Sequence, residues 1–154
     1  MKREVKTITT NKKIHFNYSV EHEYMCGILL EGCEIKSIRK HEVNISDSFC
    51  YFDGKNGMEL FVKDMYIKPY KNRDGFSINI EPNRDRKLLL TKPELRKLSQ
   101  RMKVKGYTIV PIKLIINENG YCKIVIGLCK GKKLYDKKND IKERDIRREM
   151  EREI

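Results

Sequence analysis

The chain has 154 residues, which is enough for one domain with its own hydrophobic core. Lys and Arg number 34 against 22 Asp and Glu, and the formal net charge is +12. This excess favours a polyanionic partner, because a basic surface attracts polyanions, but it does not specify a fold. The sequence has no apolar signal core and no membrane-length apolar run, so we expect a cytoplasmic protein that does not bind membranes.

Motifs for metal binding and catalysis are absent from the sequence. The five cysteines are an odd number without a CxxC pair, and the three histidines are scattered, so we expect no metal and no cofactor. The sequence contains no GxxxxGKS phosphate loop, no GxSxG elbow and no HExxH motif. These observations predict a binding protein and not an enzyme.

The sequence predicts short strands in the N-terminal half, after a polar segment at the start. Residues 1–13 are polar and predict a flexible N-terminal segment. Residues 24–30 (YMCGILL) form the first apolar stretch, in which Gly27 allows a bend or a bulge. Residues 36–40 predict a short helix. Residues 49–52 and 58–62 flank DGKNG and predict a hairpin.

The second half predicts one helix and one further hairpin. Thr91 and Glu94 form a capping-box pattern with a proline between them, and Gly106 marks the end of the helix. Residues 107–116 and 121–129 flank NENG, and alternation in the second run predicts a half-buried strand. Pro111 indicates that the first run is an edge strand or carries a bulge.

These elements predict a mainly β fold. We expect an OB-like, closed or partly open β-barrel over residues 14–129 with a few short helices, because this architecture presents a face and loops to nucleic acid. A β-sandwich fits the same pattern.

Residues 130–154 differ in composition and predict a charged tail. They include 17 charged residues and few aliphatic ones, too few to offset the ordering entropy of the segment. We therefore expect a basic tail that is disordered alone and helical on a partner. The alternative is a terminal helix packed on the barrel.

Seven segments occur in the order and spacing of a known family. They are 11–13 (NKK), 32–39 (GCEIKSIR), 43–49 (VNISDSF), 66–70 (YIKPY), 84–90 (RDRKLLL), 106–138 and 140–145 (DIKERD). Together they resemble the SsrA-binding protein family (small protein B), the partner of transfer-messenger RNA in bacterial ribosome rescue.

The resemblance implies an OB-like barrel that binds the tRNA-like part of transfer-messenger RNA and delivers it to stalled 70S ribosomes. There the tail probes the empty mRNA channel near the small-subunit decoding centre, folds as a helix and enables trans-translation, in which the nascent peptide is tagged. We expect the protein to be monomeric.

Several residues in these segments suit RNA chemistry. Cationic side chains suit phosphates, and amide or carboxylate groups suit base edges and ribose hydroxyls. The expected RNA-binding residues are Asn11, Lys12, Lys13, Glu34, Lys36, Arg39, Asn44, Arg84, Arg86, Lys87 and Leu89. Glu34 has an alternative role as the partner of an internal salt bridge with Lys36 or Arg39.

The resemblance also assigns ribosome contacts to the tail. The expected residues are Lys130, Gly131, Lys132, Lys133, Tyr135, Asp136, Lys137, Lys138, Met150 and Ile154. The chain departs from the family pattern where Met25-Cys26 replaces Glu-Ala, so one carboxylate is missing from the expected RNA face. Phe16 and Tyr135 each replace a histidine.

Two other functions fit the composition. A general single-strand RNA-binding or chaperone protein of OB type would tolerate a scrambled tail at constant charge. A ribosomal structural protein would associate with idle ribosomes.

Overall fold

The computed structural model describes residues 4–54, 57–71 and 81–131. The strands are β1 (Lys6–Thr10), β2 (Tyr18–Ile28), β3 (Val43–Asn44), β4 (Phe49–Asp53), β5 (Glu59–Lys63), β6 (Tyr66–Ile67), β7 (Arg86–Leu89), β8 (Tyr107–Ile116) and β9 (Cys122–Gly131). The helices are α1 (Ile14–Asn17), α2 (Gly32–Arg39) and α3 (Lys92–Met102).

The main sheet closes on itself through β8. Its strands follow the order β1-β8-β4-β5-β7-β2-β9, and β9 also pairs with β8. On the edge opposite β9, β8 pairs with two strands. Ile109 pairs with β4, and Lys113 to Ile116 pair with β1. The closed ring confirms the predicted mainly β, OB-like barrel and excludes an open sandwich.

The barrel interior is filled by aliphatic side chains from facing strands. Leu60, Leu88, Ile109, Ile124 and Ile126 are fully buried there. Such burial supplies most of the driving force for folding, at about 25 cal/mol per Å² of apolar surface.

A second, smaller apolar cluster lies under α1. Ile14 packs there with Val110, Ile112, Val125 and Cys129. This cluster covers the outer face of β9, and the barrel core covers its inner face. All residues from 124 to 129 are therefore buried. The prediction of a half-buried last strand is therefore wrong for this stretch.

The prediction that residues 1–13 form a flexible segment is wrong for β1. Lys6 to Thr10 pair with β8, and Ile8 is buried in the barrel core. This polar stretch is ordered by a partner strand more than 100 residues away, which local sequence does not reveal. At the other end, β9 continues through Gly131, so the first two residues assigned to the tail belong to the barrel.

The predicted hairpins and the main helix are confirmed. β4 pairs with β5 and β8 pairs with β9, each antiparallel. The register of β8 shifts between Pro111 and Lys113, which is the predicted bulge. Thr91 and Glu94 form the reciprocal capping box at the start of α3. The predicted helix at 36–40 is instead α2, Gly32–Arg39.

Candidate RNA-binding surface

One outer face of the barrel is formed by neighbouring residues of β7, β2 and β9. Cys26 and Ile28 point into the core, so Met25, Gly27 and Leu29 point outward. In register, Gly27 lies opposite Leu89 of β7 on one side and Lys123 of β9 on the other. This face therefore carries Leu89, a predicted RNA-binding residue, on one side of Gly27 and Lys123 on the other.

The face is unusually apolar for an exposed surface. Met25, Leu29 and Leu89 are 58%, 51% and 45% exposed, and Tyr121 is 68% exposed. Large apolar side chains grouped on a surface mark an interaction site, because isolated proteins gain by burying them. Tyr121 in addition offers a flat ring on which a base can stack.

An open groove of about 1110 Å³ runs along this face. Leu29, Leu89 and Tyr121 line it together with Ile35 of α2. The charged residues of its lining are Arg39, Lys123 and Glu118. Two cations beside apolar and aromatic side chains suit a ligand that carries both phosphates and bases. We call this surface the Leu89 groove.

Lys87 lies on β7 two residues before Leu89 and on the same side of the strand. Its ammonium donates to Glu59 Oε1 at 3.2 Å, and its side chain remains 38% exposed. A partly exposed pair of this kind contributes little to stability. Lys87 can therefore exchange its carboxylate partner for a phosphate at low cost.

Glu34 and two arginines form a buried cluster behind the groove. Arg86 Nε donates to Glu34 Oε2 at 2.7 Å, and Arg86 Nη2 donates to the same oxygen. Arg84 donates to both oxygens of Glu34, at 3.2 Å from Nε and 2.5 Å from Nη2. The Glu31 amide at the start of α2 also donates to Glu34, at 2.9 Å.

Arg86 has further acceptors within the fold. Its Nη1 donates to the Met65 carbonyl at 2.7 Å and its Nη2 to the Pro82 carbonyl at 3.1 Å. One guanidinium thus joins α2, β7 and two loops. Such a fully hydrogen-bonded buried cation fixes the relative positions of the elements that it joins.

The carboxylate of Glu34 is held in its charged form. Burial alone would raise its pKa, but hydrogen bonds from Arg84, the Glu31 amide and Arg86 outweigh burial and lower the pKa of Glu34 below its ordinary value.

The burial of this cluster corrects two predicted RNA contacts. Glu34 is 4% and Arg86 is 1% exposed, so neither side chain is available to RNA. The internal salt bridge expected for Glu34 exists, but its partners are Arg84 and Arg86 and not Lys36 or Arg39. Arg84 stays partly exposed, at 30% of its side chain.

The N-terminal predicted residues lie away from the Leu89 groove. Asn11 is 6% exposed and donates from Nδ2 to the Pro111 carbonyl at 3.3 Å, so it ties the end of β1 to β8 and is not a surface contact. Lys12 and Lys13 follow it and are exposed. Asn44 is exposed, and its Oδ1 accepts from the Ser46 amide at 2.9 Å.

The structure describes the first two of the predicted tail residues. Lys130 and Gly131 end β9, and the Lys130 ammonium lies 5.8 Å from the centre of the Tyr107 ring. Lys132, Lys133, Tyr135, Asp136, Lys137, Lys138, Met150 and Ile154 lie outside the described residues.

The sequence interpretation missed Tyr121 and Lys123 as groove residues. Alternate residues of a strand share a face, but alternation does not say which face of a barrel is outside. The signal that identifies the face is Gly27, where an added Cβ atom would lie 3.2 Å from the Cβ of Leu89.

Within 4–54, 57–71 and 81–131 there is no group of three His, Cys, Asp or Glu that could hold a metal ion. In the same part of the chain no helix has the length and apolar character of a membrane span.

The comparisons with known proteins agree on one family. The sequence model described as SmpB protein matches residues 8–154. The SsrA-binding protein of Treponema denticola is 43% identical over 153 residues, covering 99% of this chain and 96% of that protein. The SsrA-binding protein of Phocaeicola vulgatus is 49% identical over 142 residues, covering 92% and 91%.

A solved structure agrees with the sequence comparisons. A chain from the work described as "tmRNA-SmpB: a journey to the center of the bacterial ribosome" aligns with a TM-score of 0.67 and 40% identity, covering 82% of this chain and 85% of that one. The protein belongs to the SmpB family.

Proposed function

We propose that this protein binds the tRNA-like part of transfer-messenger RNA through the Leu89 groove and delivers it to stalled 70S ribosomes. Its relatives are named SsrA-binding proteins, and its structural neighbour comes from work on a tmRNA–SmpB pair and the bacterial ribosome. The bound RNA then enters trans-translation, which rescues the ribosome and tags the nascent peptide.

The observation that carries this proposal is the composition of the groove. Leu89 and Tyr121 offer apolar and aromatic surface, and Arg39 and Lys123 offer cations beside it. A folded RNA presents unstacked bases next to phosphates at its loops, and such a mixed surface binds both. A purely electrostatic surface would not need the apolar part.

The Glu34 cluster supports the groove from inside. It fixes α2, which carries Arg39, against β7, which carries Lys87 and Leu89. Glu34 and Arg86 are thus positioning residues. Arg84 is positioned by the same carboxylate and keeps an exposed part that can reach a phosphate.

Lys12, Lys13 and Asn44 lie beyond the groove and supply outlying contacts in this proposal. Lys12 and Lys13 are exposed at the turn between β1 and α1 and suit the phosphate backbone. Asn44 contributes a side-chain amide at β3.

The tail is assigned to the ribosome. It starts where β9 ends at Gly131, and its basic motif GKKLYDKK suits RNA by charge and by the Tyr135 ring. In the proposed mechanism it enters the empty mRNA channel, folds as a helix, and reports that no codon is present. The protein acts as a monomer and performs no covalent chemistry.

The test compares affinity for transfer-messenger RNA with affinity for an unrelated folded RNA of equal length, across a salt series. We expect binding of the cognate RNA to persist at salt concentrations where the control RNA has dissociated. Non-specific binding depends on counterion release alone, so it would make both affinities fall along one slope. That result would favour a general RNA-binding protein and overturn the proposal.

A further inference from the structure

A second basic site lies on a different side of α2 from the Leu89 groove. The Lys36 and Lys40 ammonium groups each lie 5.1 Å from the centre of the Tyr70 ring. Lys36 lies in the last turn of α2 and Lys40 is its C-cap, four residues further on, so both side chains leave the same side of the helix end. Both lysines are exposed, and Tyr70 is half-buried next to β6.

The Tyr70 ring explains why two lysine side chains of like charge are directed to the same place. Ammonium groups four residues apart on a helix repel each other, which favours splayed side chains. The face of a tyrosine ring attracts cations. Tyr70 thus favours a position next to its ring for both ammonium groups.

Neither lysine is neutralised within the described part of the chain. No carboxylate of residues 4–54, 57–71 and 81–131 lies within 4.0 Å of either ammonium group. The nearby acidic side chains are Glu42, which pairs with Lys68 at 3.9 Å, and Glu81, which lines a small cavity with Tyr70. The two ammonium groups therefore retain their capacity to bind an anion.

This site faces a different direction from the groove, so Lys36, an expected RNA-binding residue, is not among the residues that line the groove. Ile35 and Arg39 line the Leu89 groove, whereas Lys36 and Lys40 cover Tyr70. Adjacent residues on an α-helix are turned by about 100°. The residues that line the small cavity beside Tyr70 are therefore separate from those that line the groove.

We infer that Lys36, Lys40 and Tyr70 form a phosphate-binding site for the backbone of a second RNA, distinct from the RNA in the Leu89 groove. Paired ammonium groups act as point charges that suit a phosphodiester, and they do not require a particular base. This inference rests on the proposed function for the identity of the first RNA and for the ribosome as the source of the second. The second RNA contact would hold the complex on the ribosome.

The test uses the full chain with both lysines replaced, K36Q/K40Q, and a variant with the same charge change elsewhere, K103Q/K105Q. Lys103 and Lys105 are exposed in the turn after α3. All four lysines are exposed, so we expect both variants to melt like the wild type. A third variant, Tyr70→Leu, keeps both charges and removes the ring.

Two affinities are measured across a salt series. The first is for the tRNA-like part of transfer-messenger RNA. The second is for ribosomes stalled on a truncated message, with and without bound transfer-messenger RNA. For K36Q/K40Q we expect the first affinity to equal that of K103Q/K105Q. We expect its ribosome affinity to fall severalfold further than that of K103Q/K105Q. The slope of the logarithm of this affinity against the logarithm of the salt concentration should decrease by about 2, since each phosphate contact contributes about 1. Tyr70→Leu should show a smaller loss.

Three outcomes would overturn the inference. Equal ribosome binding by the two double variants would show that the site is not used. A loss of transfer-messenger RNA affinity specific to K36Q/K40Q would assign the lysines to the first RNA. Weaker ribosome binding with an unchanged salt slope would show that the two lysines do not contact phosphates. The measurement on ribosomes without transfer-messenger RNA decides the inference even if the wild type shows no preference for that RNA.

Discussion

Gly27 lies directly opposite Leu89 across the β2–β7 pair, and the Leu89 side chain lies over the space that a side chain at position 27 would fill. A Cβ atom at Gly27 would be 3.2 Å from the Cβ of Leu89 and 3.4 Å from its Cδ1. The absence of a side chain at position 27 of β2 thus leaves room for the Leu89 side chain of β7 in the groove.

Replacing Gly27 with alanine should displace Leu89. A new methyl group at this distance forces the neighbour to move, and because Leu89 is half exposed it can do so at a stability cost of about 1 kcal/mol. Affinity for transfer-messenger RNA should fall about fivefold, equivalent to about 1 kcal/mol. Gly32→Ala is the matched control, since nothing lies within 4 Å of the position its Cβ would take. Wild-type affinity in Gly27→Ala would contradict this role of Leu89.

Replacing Glu34 with glutamine should strongly destabilise the fold. The substitution leaves Arg84 and Arg86 without their counter-charge, and removing one partner of a buried ion pair costs about 3 kcal/mol or more. Urea unfolding measures the change. Glu59→Gln is the control, because it removes the carboxylate of the exposed Lys87 pair and should cost less than about 1 kcal/mol. Equal losses in the two variants would refute a structural role for the buried cluster.

The same carboxylate should make stability depend on pH in acid. The pKa of Glu34 is lowered in the folded protein from an ordinary value of 4.5, so the folded state favours the charged form. Its contribution is fully present above that value and is lost as the pH falls through 4.5 toward the folded pKa. The free energy of unfolding of the wild type should therefore fall more steeply with acid than that of Glu34→Gln. Parallel curves would show that Glu34 is not the titrating group.

Scrambling GKKLYDKK at constant composition should separate the two proposed functions of the chain. We expect unchanged affinity for transfer-messenger RNA, because the groove belongs to the barrel. Peptide tagging on ribosomes stalled on a truncated message should be lost. A variant that keeps only Tyr135 in place, with the other residues scrambled, tests the contribution of the ring. Normal tagging by the fully scrambled tail would support a non-specific basic extension.

Local sequence determines much of the barrel. The DGKNG and NENG loops, the Thr91 capping box and the bulge at Pro111 each depend on residues near one another in the chain, so they could be predicted from the sequence. β1 could not, because its order comes from pairing with β8 and its local pattern is polar.

Residues of the candidate site could be predicted where the family resemblance identified them. They could not be predicted where a contact with a distant part of the chain determines whether a side chain is buried or exposed. Leu89 and Arg39 were expected and lie at the groove. Glu34 and Arg86 were expected to touch RNA, but they are 52 positions apart in sequence and meet in the interior. Composition cannot distinguish a buried charge pair from two surface charges.

The most direct test of the central claim is a photo-cross-link from the groove to RNA. Tyr121 is replaced by p-benzoylphenylalanine, and Val104, an exposed residue in the turn after α3, is replaced in the control. We predict a cross-link from position 121 to the tRNA-like part of transfer-messenger RNA, competed by unlabelled cognate RNA and absent or much weaker at position 104. Equal cross-linking from both positions, or none from position 121 in a variant that still binds the RNA, would contradict the claim that the Leu89 groove holds this RNA.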